Sequence, residues 1–152
     1  MTATQPPLLS VRDLGVEFPT ADGTVVAARD VSFDVGPGEC LGVVGESGSG
    51  KTVTCQSLLG LLRPPGHVVS GTALFEGRDL LALPAEAIRA IRGREIAMTF
   101  QDAQTALNPC LTVGEQIVEV IRAHDERGTD GKSVRDRAIE MMSLVGDRKS
   151  VV

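Results

Sequence analysis

The chain has 152 residues, of which 42% are hydrophobic and 23% charged, and its net charge is −5. That is the size of one ordinary domain with a real core. The acidic balance argues against nucleic-acid binding, which calls for a basic face. No stretch approaches the roughly 20 apolar residues that span a bilayer, and the polar start at residues 1–7 lacks the basic and apolar regions of a secretory signal. A cytoplasmic chain is expected.

Residues 8–18 alternate imperfectly, with Leu9, Val11, Leu14, Val16 and Phe18 apolar, and read as a strand. Ala21-Asp22-Gly23 is turn chemistry. Residues 25–35 resume the strand pattern, with Val31, Phe33 and Val35 on one face, so the pair predicts an antiparallel hairpin. After Gly36-Pro37-Gly38, the run Cys-Leu-Gly-Val-Val at 40–44 is wholly apolar, as in a central strand buried on both faces. A Gly/Ser loop follows, then a helical pattern over 51–62, with Val53, Ser57, Leu58, Leu61 and Leu62 as its stripe and Pro64-Pro65-Gly66 as its stop. Residues 71–76 predict a brief strand, 80–83 a connector, and 84–92 a helix with Pro84 at its start. Residues 96–100 are a further strand candidate, and 101–109 a polar loop. Thr112 caps a helix over 113–124 in a capping box with Glu115. Residues 125–132 form a loop. A last amphipathic helix runs over 133–145, with Ile139, Met142 and Val145 along one side.

Cys40, Cys55 and Cys110 are odd in number and widely spaced, and His67 and His124 stand far apart. Neither a zinc site nor a disulfide framework fits; three reduced, mostly buried thiols are expected. With four Phe and neither Tyr nor Trp, stacking platforms for single-stranded nucleic acid are improbable. Arg135, Arg137, Arg148 and Lys149 alternate with Asp136, Glu140 and Asp147, as on a solvated helix face.

The chemistry lies in Gly45-Glu46-Ser47-Gly48-Ser49-Gly50-Lys51-Thr52, a match to G-x-x-x-x-G-K-[ST]. Gly45, Gly48 and Gly50 let the backbone wrap a phosphate without Cβ clashes, and successive N–H groups form an anion nest. The helix that follows adds free N–H groups and the positive end of its dipole. Lys51 brings a full positive charge to the β- and γ-phosphates, and Thr52 a hydroxyl for Mg²⁺. A glycine-rich structural turn would leave Lys51 and Thr52 unexplained. Glu46 reads as an exposed loop carboxylate, and His124 as a solvated histidine at a helix end.

This loop, followed by Ile96-Ala-Met-Thr-Phe-Gln-Asp102, resembles the ATP-binding subunits of ABC transporters: a Walker A loop, then a strand ending in the glutamine of a Q-loop. Val16-Glu-Phe-Pro-Thr20, Leu58-Leu-Gly-Leu-Leu62, Gly93-Arg-Glu-Ile96, Leu107-Asn-Pro109 and Leu111-Thr-Val-Gly-Glu-Gln116 are similar to the dipeptide/oligopeptide importer subgroup. The resemblance runs over about 8–145. It implies an α/β fold: the P-loop NTPase core of an ABC ATPase domain, with an antiparallel β portion at the N-terminus and the start of a helical subdomain. By it, 1–7 is a tail, 8–100 a partial nucleotide-binding core, 101–146 the Q-loop and helical subdomain, and 147–152 a tail possibly foreign to the family.

The resemblance further implies that Gly45, Glu46, Ser47, Gly48, Ser49, Gly50, Lys51, Thr52 and Val53 hold ATP. Thr52 and Gln101 hold Mg²⁺, Gln101 also sensing the γ-phosphate. Phe18 sits where the family stacks an aromatic on adenine; the alternative is an ordinary strand hydrophobe. Permease subunits and a second ABC ATPase subunit are the implied partners, with a place on the inner face of the plasma membrane and peptide, or related nickel, import as the task. The family's signature loop, Walker B strand and switch histidine do not occur in these 152 residues. The chain is therefore expected to be the N-terminal portion of such a domain, with no catalytic residue of its own and no hydrolysis in isolation. A non-catalytic nucleotide-binding module is the second reading. A different P-loop enzyme is disfavoured, since the Asn-Lys-x-Asp guanine reader is absent.

Overall fold

A computed structural model describes residues 6–101, 106–125 and 131–146. The chain divides into two compact units, Met1–Arg92 and Gly93–Val152.

In the first unit, strands β1 (Leu9–Thr20) and β2 (Gly23–Val35) form the expected hairpin, joined at Ala21-Asp22. Strands β3 (His67–Phe75) and β4 (Arg78–Asp79) complete an antiparallel sheet of order β2-β1-β3-β4. The uneven apolar spacing of β1 has a physical cause. Val11 pairs with Phe33 and Leu14 with Val31, so β1 carries one extra residue between the two pairs. Asp13 takes φ 49° there. This β-bulge resets the phase of the strand, and Val11, Leu14 and Val16 all reach the inner face with no exposure. The bulge backbone is satisfied: Asp13 N–H donates to Ser32 Oγ at 2.9 Å, and Ser70 Oγ donates to Asp13 O at 2.9 Å.

Helix α1 (Lys51–Leu58) is shorter than the sequence pattern suggests. It ends at Gly60, not at the prolines. Gly60 sits at φ 60°, Gly60 N–H bonds to Ser57 O at 3.1 Å and Leu61 N–H to Gln56 O at 2.8 Å. That is a Schellman motif, in which glycine takes the left-handed conformation without a Cβ penalty. Arg92 then donates from Nε to Leu59 O (2.7 Å) and from Nη2 to Gly60 O (2.8 Å), taking up carbonyls at the helix end. A 3₁₀ turn (Leu80–Ala82) and helix α2 (Ala85–Ile91), with Pro84 at its N-cap, follow. Leu58, Leu59, Leu80, Ile88 and Ile91 are buried.

The second unit holds α3 (Val113–Ala123) and α4 (Gly131–Leu144). The capping box at Thr112 and Glu115 is present as expected. The buried side of α4 differs: Val134, Ala138 and Met142 are inside, an i, i+4, i+8 row. Of the expected stripe only Met142 is buried, while Val145 is 80% exposed.

Two strand expectations are not met. Residues 40–44 and 96–100 belong to no strand, and Val44 is 97% exposed. An apolar run becomes a strand only where a neighbouring strand takes its N–H and C=O groups, and among the described residues neither run has one; Ile96 O only closes a turn with Gly93 N–H at 2.9 Å. The cysteines also correct an expectation, since Cys40, Cys55 and Cys110 are free and exposed. Cys40 and Cys110 lie in uncovered segments, and on α1 the inner positions go to Thr54, Ser57 and Leu58, which leaves Cys55 outward.

Candidate functional site: the glycine-rich loop at the start of α1

The loop from Gly45 to the first turn of α1 is shaped by its glycines. Gly48 has φ 82° and Gly50 has φ 88°, backbone conformations that L side chains rarely adopt. Gly50 is the N-cap of α1, and no side chain caps the helix. Its first-turn N–H groups are therefore unclaimed by any cap, and no acidic side chain stands in the first turn. A helix start in this condition attracts an anion through both its N–H groups and its dipole.

Gly50 has a second reason to be glycine. A Cβ built on it would run into the carbonyl of Ala27 on β2. Gly45 is similarly tight, because a Cβ there would lie 2.6 Å from Ser49 Oγ. Lys51 folds back over the loop: its Nζ donates to Gly45 O and Glu46 O, each at 2.7 Å, and to Ser49 Oγ at 3.2 Å. The ammonium is thus held at the mouth of the loop, on groups that a charged phosphate oxygen can outcompete. Ser49 N–H bonds to Glu46 O at 3.2 Å and closes the turn. The resulting cavity, ≈ 140 Å³, is lined by Ala27 and by Gly48, Ser49, Gly50, Lys51, Thr52 and Val53.

The other expected site residues fall as follows. Thr52 is exposed at the helix start and lines the cavity, and Glu46 and Ser47 are exposed loop residues. Phe18 lies on β1 opposite Val25, half-buried, with its ring pressed against Gly66, where a Cβ would have no room. Gln101 is exposed in the second unit, immediately before residues 102–105, which lie outside the described residues. His124 is exposed, with its ring against Gly93. Among the described residues no group of three or more His, Cys, Asp or Glu could hold a metal. The Thr52 hydroxyl and the Gln101 side-chain carbonyl are each hard oxygen donors of the type that Mg²⁺ takes. Sequence reasoning missed Ala27: it stands far upstream of the motif, and only the tertiary contact reveals it.

The family profile described as ABC transporter matches residues 28–152. The chain is 46% identical over 140 residues to an oligopeptide transport ATP-binding protein of Bacillus subtilis, covering 91% of this chain and 38% of that protein. It is 49% identical over 140 residues to a dipeptide transport ATP-binding protein of the same organism, covering 91% of this chain and 41% of that one. The chain thus spans about two fifths of the length of these relatives. A dimeric bacterial ABC transporter cassette superposes with TM-score 0.75 at 20% identity, over 91% of this chain and 57% of that one. A post-hydrolysis ATP-binding cassette bound to ADP and phosphate gives 0.74 at 19% identity, with the same coverage.

Proposed function

Since the chain belongs to the ABC transporter family, we propose that it is part of the ATP-binding, energy-coupling subunit of a peptide importer. The observation that carries this is the loop itself: two left-handed glycines, an uncapped helix start and the Lys51 ammonium converge on one cavity. Peptide as the transported substrate rests on the oligopeptide and dipeptide transport relatives. Permease subunits and a second ATP-binding subunit are the proposed partners. A place on the inner membrane face through those permeases accords with the absence, among the described residues, of any helix long and apolar enough to cross a membrane.

In this reading the N–H groups of Gly48 to Val53 bind the phosphate chain. Lys51 gives up its loop carbonyls and moves its charge to the β- and γ-phosphates. By family resemblance Thr52 and Gln101 are the proposed ligands of Mg²⁺, which when bound neutralises phosphate charge. Phe18 contributes an aromatic face for the base. With these parts alone the 152-residue chain binds nucleotide and leaves hydrolysis to groups outside it.

Calorimetric titration of the chain with ATP and Mg²⁺, alongside phosphate release, tests this. Saturable binding without release is the expected result, and Lys51→Ala abolishes the binding. Unchanged affinity in Lys51→Ala overturns the loop assignment. Release that disappears in that variant would place a catalytic carboxylate within the chain.

A further inference from the structure

The β2 strand does more than complete the sheet. Val16 pairs with Ala28, and Glu17 pairs with Val26, so Ala27 is an extra residue with no partner on β1. It is a bulged residue of β2. A bulge bends its strand and re-aims a residue out of the ladder. Here the target is specific: the Ala27 carbonyl lies where a Cβ on Gly50 would go, and among the described residues Ala27 is the only one lining the 140 Å³ cavity that does not come from the loop or α1. Its neighbour Ala28 is buried in the core, whereas Ala27 is half-buried.

The two walls differ in chemistry. The loop wall offers N–H donors and an ammonium, which suit phosphate. The remaining lining is Ala27, a small uncharged residue whose carbonyl lies where a Cβ on Gly50 would go, and a carbonyl oxygen repels phosphate. It can only bound, or accept a hydrogen bond from, the uncharged part of a ligand. Resting on the nucleotide reading above, we propose that position 27 is a specificity-determining residue. Its small side chain sets how bulky a group may follow the phosphates held by the loop.

The test is a graded series, Ala27→Ser, Ala27→Val and Ala27→Leu, titrated with Mg²⁺-ATP and with inorganic pyrophosphate, with thermal melting on each variant. Serine keeps both affinities, because it adds one atom. Valine and leucine weaken ATP progressively, leucine by about tenfold or more, while pyrophosphate, which carries nothing bulky, is spared. An ATP affinity that is flat across the series overturns the proposal. So does an equal loss for ATP and pyrophosphate, which marks distortion of the loop rather than a wall. Valine, a strand-compatible residue, decides the matter if leucine prevents folding. If the unsubstituted chain binds neither ligand, the nucleotide reading itself fails, and that outcome is distinct from a flat series in a chain that binds.

Discussion

At the scale of single residues, the glycines and Lys51 divide the work of the loop. Gly48 and Gly50 solve a backbone problem, since their positive φ angles point N–H groups inward where an L side chain would be strained. In the proposed nucleotide site Lys51 solves an electrostatic one, and its hydrogen bonds to Gly45 O and Glu46 O hold the ammonium at the loop. Gln101 is assigned by family resemblance to the metal. Gln101→Ala should therefore weaken binding measured with Mg²⁺ more than binding measured in EDTA. An equal loss in both titrations would remove Gln101 from the metal site. The motif residues were legible from sequence because the chemistry demands those residue types in that order. Ala27 was not, because alanine has no chemistry of its own and gains a role only from a bulge and a contact.

At the scale of elements, the ends of the helices are set by local rules. Gly60→Ala places a Cβ on a left-handed residue, and that Cβ lies 3.1 Å from Arg92 Nη2. It should cost about 1–2 kcal/mol, read as a lower denaturation midpoint of the chain. A midpoint equal to the parent's would mean that the Schellman end of α1 does not contribute. In α3, Thr112 and Glu115 cap one another: Glu115 N–H donates to Thr112 Oγ1 at 3.2 Å, and Glu115 Oε2 accepts from Thr112 N–H at 2.9 Å. Thr112→Ala should destabilise α3 by about 1 kcal/mol, seen as faster amide exchange in its first turn. The Thr112 backbone N–H, and then its hydroxyl, which donates to Glu115 Oε2 at 2.8 Å, hold the Glu115 carboxyl below its usual range. A group whose folded pKa is depressed stabilises the fold at pH above its unfolded value, and the contribution is lost as pH falls through the folded value. Acidification below the ordinary glutamate range should therefore loosen α3 in the parent, and less so in Thr112→Ala. The same pH response in both would show that the hydroxyl bond to the carboxylate is unimportant, since alanine keeps the backbone N–H.

At the scale of the whole molecule, the exposed apolar segment before the loop stands out. Leu41, Val43 and Val44 are exposed and belong to no strand. Unpaired apolar backbone invites association with other chains. Replacing Val43 and Val44 by Lys should lower light scattering at high concentration with little change in melting temperature. A large fall in melting temperature would instead mean that these side chains are buried in the folded chain.

Sequence alone determined the antiparallel hairpin, the P-loop, the capped start of α3 and the family. Each depends on residues close together in the chain: a turn between alternating runs, a fixed motif spacing, a cap three residues from its partner. Tertiary structure decided the rest. The bulges at Asp13 and Ala27 arise from pairing between strands, and periodicity cannot show a residue that the partner strand skips. The burial of Ala138 rather than Ile139 depends on what packs against α4, not on the hydrophobicity of either residue. The apolar runs at 40–44 and 96–100 have strand composition without strand structure. Composition makes a segment fit to be buried, but only a neighbouring strand can satisfy its backbone hydrogen bonds and make it one.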